Sequence, residues 1–408
     1  MACAQSGRAA ARAGGRVALA RLRMAQAQTR RAIAQGMNPL QQLQALGQSP
    51  WHDNISRDQL ESGELARMVA AGDITGLTSN PTIFQQAISG SDDYDASIRA
   101  HAQRGVGAEE IFYALASEDI QAAADIFRPV YDRSAGGDGF VSLEISPRLA
   151  HETEASVREA LHLWQRVARP NLMIKIPATR PGLAAITATI RAGVNVNVTL
   201  IFSLQRYAEV MDAYMSGLEE RLAAGEDVSG VASVASFFVS RLDTLADARL
   251  DELASTEPGV AKLKGGTAIA NARLAYVLFH ETTSGQRWAA LAAAGGRVQR
   301  PLWASTSTKN PQYRDVLYVE ALIGADTVNT MPPNTLQAFK QHGHAKETIT
   351  AGTDAARAHM AKLADLDIDM VAVTDKLEAD GVAAFAQSFE DLLAVIEQRS
   401  RSLHPARA

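Results

Sequence analysis

The sequence predicts an α/β protein whose core is a parallel sheet or barrel. Two observations carry that reading. From residue 38 onward, short strand-like runs alternate with apolar-periodic helical stretches, the order that builds parallel strands joined by helices. Several of those runs also have one apolar and one polar face. An antiparallel sheet with one wet face shows the same alternation. Here most runs lead into a helix, so the apolar face meets helices and the polar face lines an enclosed interior. A barrel gathers such residues at the C-terminal ends of its strands, where active sites assemble.

Taken in order, residues 59–71 read as a helix leading to Gly76-Leu-Thr-Ser-Asn80-Pro, and 108–132 as a long helix. In the strand 139–146, Val141, Leu143 and Ile145 oppose Ser142, Glu144 and Ser146. A helix over 154–167 feeds the run 171–177, and a further helix spans 182–192. In the strand 194–202, Val194, Val196, Val198 and Leu200 oppose Asn195, Asn197 and Thr199. A long helix over 203–224, a strand near 231–239 and helices over 243–254 and 267–281 follow. The strand 297–305 sets Leu302 and Ala304 against Trp303 and Ser305. A helix at 315–322, a strand at 327–331 and a helical tail over 376–400 complete the chain.

A chain of 408 residues suffices for two or three average domains or one large α/β barrel, and no repeat or low-complexity linker divides it after residue 38. The first 36 residues differ. They carry seven arginines between Arg8 and Arg31 and no acidic residue, a composition shared by transit peptides and by basic membrane-surface segments. The expected organisation is a dispensable extension over 1–36 and a single domain over 37–408. A net charge of −5 without aromatic–basic interleaving gives no reason to expect nucleic acid. The sole cysteine, Cys3, rules out intrachain disulfides and cysteine-based metal sites and fits a reducing compartment. No apolar stretch is long enough to span a bilayer.

The run Asn171-Leu-Met-Ile-Lys175-Ile-Pro177 is where chemistry is expected. As a strand it puts Lys175 on one face with Met173, opposite Leu172, Ile174 and Ile176. Burying a lysine favours its neutral amine, the state a nucleophile needs. A solvated lysine on an edge strand would have the same seven residues; the polar inner faces on other strands favour the interior. A buried lysine with a nearby carboxylate is the minimum equipment for Schiff-base chemistry, in which an amine attacks a carbonyl and protons must be moved. Glu144 is the carboxylate best placed by pattern, and a purely structural ion pair with Lys175 would read the same. Thr199 and Asn197 offer neutral groups that orient a water or a polyol. In Ser305-Thr-Ser-Thr-Lys309-Asn-Pro, hydroxyls, backbone amides and a cation suit a phosphate, as would a solvated turn. Arg241 either binds phosphate or pairs with a carboxylate such as Asp243. His342 and His344, with one residue between them, read as surface, as does the helix start at His151. Neither a dinucleotide fingerprint nor a P-loop is present.

Six segments in fixed order resemble transaldolase: Trp51-His-Asp53-Asn-Ile-Ser-Arg57, Gly76-Leu-Thr-Ser-Asn80-Pro-Thr-Ile-Phe84, Ser142-Leu-Glu144, Met173-Ile-Lys175-Ile-Pro-Ala-Thr179, Asn195-Val-Asn197-Val-Thr199-Leu-Ile-Phe-Ser203 and Ala235-Ser236-Phe-Phe-Val-Ser-Arg241. Trp303-Ala-Ser-Thr-Ser-Thr-Lys309-Asn-Pro is similar to the longer bacterial subfamily. The resemblance covers nearly everything after residue 38. It implies a single (β/α)8 barrel of the class I aldolase type, with helical insertions and a C-terminal helix. It further implies a cytoplasmic enzyme of the non-oxidative pentose phosphate pathway that uses no cofactor or metal. Such an enzyme moves a dihydroxyacetone unit from sedoheptulose 7-phosphate to glyceraldehyde 3-phosphate. Carried over by position, Lys175 forms the Schiff base, Glu144 and Thr199 handle a catalytic water, and Asp53 is the base for bond cleavage. Asn80, Asn197 and Ser236 hold the three-carbon unit, and Arg241 the phosphate. Where many members have a second arginine, this sequence has Ser305-Thr-Ser-Thr-Lys309, so Ser305 and Lys309, with Ser307 as a further candidate, are expected to take that work. An aldolase releasing free dihydroxyacetone and a non-catalytic sugar-phosphate-binding barrel are the competing readings.

Overall fold

The computed structural model describes residues 36–403, so the basic extension expected at 1–36 lies outside the described residues apart from Gly36. Eight strands form a closed parallel barrel: β1 (Gln48–Asp53), β2 (Gly76–Thr78), β3 (Val141–Glu144), β4 (Leu172–Pro177), β5 (Val196–Ile201), β6 (Ser233–Phe238), β7 (Arg300–Ala304) and β8 (Thr327–Met331). Each pairs with its neighbours in chain order, and β8 returns to β1. Helices join the strands on the outside, which is why β4 and β5 are buried on both faces. Among the described residues no helix is long and apolar enough to cross a membrane.

The turns after the strands are built by capping residues at the barrel's C-terminal end. Asn80 Oδ1 accepts from Ile83 N at 3.0 Å, Thr179 Oγ1 from Gly182 N at 3.0 Å and Ser203 Oγ from Arg206 N at 3.0 Å. Each satisfies an otherwise orphaned amide at a helix start. The opposite end is closed by Trp51, whose Nε1 donates to Asp138 Oδ1 at 2.8 Å. Gly76 is level with Trp51 on the neighbouring strand, and a Cβ there would lie 2.5 Å from the indole. Only glycine fits beside that plug.

Three local expectations are corrected. The helix expected over 59–71 is two, Arg57–Glu61 and Glu64–Ala70, because Gly63 adopts φ 72° between them. In β5 the register shifts between Val198 and Ile201, and Leu200 has φ 62°. This bulge re-aims Leu200, so it leaves the face of Val196 and Val198 and meets the last helix at Gly381. In β7 the inward face is Leu302 and Ala304, level with Ser236 and Phe238. Trp303 instead packs edge-on against Phe237, at 6.2 Å between centroids, and Phe237 packs against Tyr207 of the surrounding helix Leu204–Ala223. A large aromatic gains more among the helices than in the polar interior. Ser305 reaches the interior through a left-handed turn at φ 55°.

The last helix, Met370–Leu403, is longer than the expected 376–400 and crosses the barrel mouth. Thr82 Oγ1 donates to Ser388 Oγ at 2.8 Å, Arg206 Nε lies 3.3 Å from Glu378 Oε2, and Arg148 Nε donates to Glu390 Oε1 at 2.6 Å.

Candidate active site

Lys175 stands at the centre of the barrel. Strand pairing sets Glu144 level with it on β3 and Asn197 level with it on β5. Side chains level on parallel neighbours point the same way, so the three converge. Lys175 Nζ lies 3.2 Å from Glu144 Oε2 and donates to Ser79 O at 3.0 Å. The two residues are only 5% and 7% exposed. Burial pushes the Glu144 carboxyl up; the Lys175 charge and hydrogen bond pull it back, and the Asp53 charge pushes it up again. The ion pair that would serve a purely structural role is therefore present, yet Lys175 also lines an open cavity.

That cavity, of about 530 Å³, sits at the C-terminal ends of the strands. Thr199 and Ser236 line its base with Lys175, and Asp53, Thr78 and Thr330 form one wall. Thr78 Oγ1 donates to Asp53 Oδ1 at 2.7 Å and lies 2.6 Å from Thr330 Oγ1. Burial raises the Asp53 carboxyl above the usual range; the Thr78 hydrogen bond and the charges of Lys175, Arg241 and Lys309 oppose that rise. Thr199 Oγ1 is buried with no hydrogen-bond partner among the described residues. Its level on β5 is that of Pro177, just beyond Lys175. Asn80 lines the cavity with its Oδ1 engaged in the helix cap, leaving its amide group as a donor.

Asn197 sits deeper than expected. Its Oδ1 accepts from Ser236 Oγ at 2.7 Å and its Nδ2 donates to Ser142 Oγ at 3.0 Å. It orients Ser236 rather than lining the cavity. Arg57, in the first matching segment, is also off the site, donating to Asp119 Oδ1 at 2.8 Å.

Arg241 and Lys309 form the cationic rim with Ser305. Arg241 does not pair with Asp243, which accepts from Ala268 N at 2.7 Å and Tyr318 Oη at 2.9 Å. Its guanidinium lies over Phe238 at 5.3 Å and Phe385 at 5.8 Å, and burial lowers its pKa against the opposing charge of Asp53. Lys309 Nζ donates to Ser307 Oγ at 2.8 Å; partial burial and the Arg241 charge lower its pKa, while Asp53 raises it. Neither cation has an ion-pair partner among the described residues. Ser305 Oγ lies 2.9 Å from Ser240 Oγ. Among the described residues no cluster of three or more His, Cys, Asp or Glu side chains is placed to hold a metal ion.

Sequence reasoning missed Thr78, Thr330, Phe238 and Phe385. Thr78 was within reach, lying two residues before Asn80 in the second matching segment. Phe385 gave no local signal, since an aromatic on an amphipathic helix reads as ordinary core.

The model for transaldolase/fructose-6-phosphate aldolase matches residues 50–396, the span that holds every element of this cavity. The chain belongs to that family. A protein named Transaldolase from Parafrankia sp. strain EAN1pec is 53% identical over 362 residues, covering 88% of this chain and 98% of that protein. Transaldolases of Frankia alni (53% over 363 residues, 89% and 97%) and Thermobifida fusca (52% over 363 residues, 89% and 98%) are similar. Membership, together with relatives that are named Transaldolase over nearly their whole length, makes the chain an enzyme, a transferase of the transaldolase type.

Proposed function

We propose that this chain reversibly transfers a dihydroxyacetone unit from sedoheptulose 7-phosphate to glyceraldehyde 3-phosphate, giving erythrose 4-phosphate and fructose 6-phosphate. The intermediate is a Schiff base on Lys175. The observation that carries this reading is the buried Lys175–Glu144 pair at 3.2 Å, with Lys175 at the base of a cavity whose rim bears two cations that have no ion-pair partner among the described residues. The names of the relatives support it, as does their coverage of the chain.

In the proposed cycle the Lys175 amine adds to the ketose C2, and loss of water gives a protonated imine. Glu144 moves the protons through a water that the Thr199 hydroxyl helps to orient. Asp53 takes the C4 hydroxyl proton, the C3–C4 bond breaks, and the aldehyde leaves. The electron pair passes into the imine, leaving an enamine, so no cofactor is called on. Asn80 and Ser236 hold the three-carbon hydroxyls, with Asn197 orienting Ser236. Arg241 and Lys309, with Ser305, hold the phosphate. The acceptor aldehyde then takes the enamine carbon, and hydrolysis of the imine restores Lys175. The reaction belongs to the pentose phosphate pathway, and the cytoplasm is the compartment proposed for it.

The test is borohydride reduction in the presence of fructose 6-phosphate, followed by peptide mass mapping. A stable adduct on Lys175 is expected. No adduct on a folded protein, or one only on Lys309, would sink the mechanism. The family's name also covers an aldolase; product formation from the donor ketose that does not need an acceptor aldehyde would favour that activity.

A further inference from the structure

We propose that Phe385, carried by the last helix, determines the fate of the bound three-carbon unit: transfer to an aldehyde rather than release to water. This inference rests on the Schiff-base reading above. The Phe385 ring centroid lies 5.8 Å from Lys175 Nζ and 5.8 Å from Arg241 Cζ. One ring therefore spans the space between the reacting amine and the phosphate rim, and it lines the cavity while itself 5% exposed.

Its position is built in. Gly381 is one turn earlier on the same face of the helix, where a Cβ would lie 2.9 Å from Leu200 Cδ2 and 3.8 Å from Arg241 Nη1. The bulge in β5 puts Leu200 there, and the missing side chain at 381 lets the helix approach that close. One turn beyond, Phe389 packs edge-on against Phe112 at 5.5 Å. The helix is thus seated on both sides of Phe385.

Once the C3–C4 bond has broken, the enamine has two fates. In transfer, its C3 attacks the acceptor's carbonyl carbon and the new alkoxide takes the proton held by Asp53. In release, C3 instead takes a proton from a neighbouring water, the hydroxide takes the proton held by Asp53, and water adds to the resulting imine. Dihydroxyacetone then leaves and the Lys175 amine is restored. Both fates end in hydrolysis of the imine; release alone needs a water beside C3 to protonate it, and an ordered water needs two to four polar partners. A phenyl ring offers none, while its face favours the imine's positive charge. The aldehyde substrate brings its own phosphate to the rim cations and so occupies the space that the ring denies to water.

The test compares full-length wild type with Phe385→Leu and Phe385→Ala, fed fructose 6-phosphate with erythrose 4-phosphate. The readout is free dihydroxyacetone formed per sedoheptulose 7-phosphate formed, a ratio that does not depend on how much enzyme is folded. Leucine keeps the site apolar and leaves a smaller cavity than alanine, so it is the milder of the two changes to the fold. The ratio is expected to rise by about threefold or more in leucine and further in alanine, since each tenfold corresponds to a small change in relative barrier. A smaller change in both variants overturns the proposal. So does a variant that traps the borohydride adduct yet makes neither product, because the ring would then serve cleavage and not partition. Absence of a wild-type adduct on Lys175 would overturn the Schiff-base reading itself and this inference with it.

Discussion

Glu144 Oε2 and Lys175 Nζ face each other across 3.2 Å from level positions on adjacent strands. Their pairing serves the fold and the reaction together. Glu144→Gln leaves the lysine's charge buried without its carboxylate, a loss worth about 3 kcal/mol or more when one partner of a buried pair is removed. Urea unfolding checks this. The same variant loses the proton mover, and the rate of borohydride-trapped adduct formation is expected to fall on the order of 10²–10⁴-fold. Lys175→Arg keeps a cation beside Glu144 and should fold, but a guanidinium stays charged and forms no imine. A measurable adduct in Lys175→Arg would contradict the assignment.

Burial raises both Asp53 and Glu144. A carboxylate base works only when ionised, so activity is lost as pH falls through the raised pKa. The acidic limb of kcat/KM should therefore lie above about 4, the ordinary carboxylate value. A pH–rate profile on fructose 6-phosphate checks it, and a limb at or below the ordinary value counts against Asp53 as the base.

Arg241 is half-buried and Lys309 exposed at the rim, so they should not contribute equally. A charge-assisted hydrogen bond contributes about 1.5–3 kcal/mol, and Arg241→Ala should raise KM for fructose 6-phosphate by roughly 10–100-fold. Lys309→Ala should raise it less. Unphosphorylated fructose should respond to neither change, which separates phosphate binding from damage to the site.

Asp243 lies outside the chemistry but reports on stability. Burial pushes it up to about 6 despite bonds from Ala268 and Tyr318. Its folded pKa exceeds the unfolded value, so the folded state binds the extra proton. The contribution is fully present below about pH 4 and is lost as pH rises through 6, for a total of about 3 kcal/mol. Wild type minus Asp243→Asn, measured by denaturant unfolding at several pH values, should follow that slope. A difference independent of pH would show that Asp243 titrates normally.

What could be read from the sequence was set by alternation. The strands around Glu144, Lys175 and Asn197 declare themselves because valine, leucine and isoleucine alternate there with polar groups. β1 does not, since Gln48-Ser-Pro-Trp-His-Asp53 has no apolar face and a proline at its centre. It becomes a strand by pairing with β2 and β8, partners that lie 25 and about 280 residues away. The face of Trp303 was misread because period alone cannot say which side of a barrel strand is inside. Phe385 could not be found locally at all. Its significance comes from a bulge at Leu200 and a glycine at 381, two contacts made only in three dimensions.

The last helix gives the enzyme a fixed order of completion. All eight strands, Lys175 and Asp53 are in place by Met331, but the ring over Lys175 is more than 50 residues further on. A ribosome must finish nearly the whole chain before the pocket has its cover. A nascent or clipped chain ending before Gly381 would carry a full set of reactive groups under an open mouth. If the ring partitions the enamine as proposed, a folded chain of that length would split ketose phosphates and spill the three-carbon half.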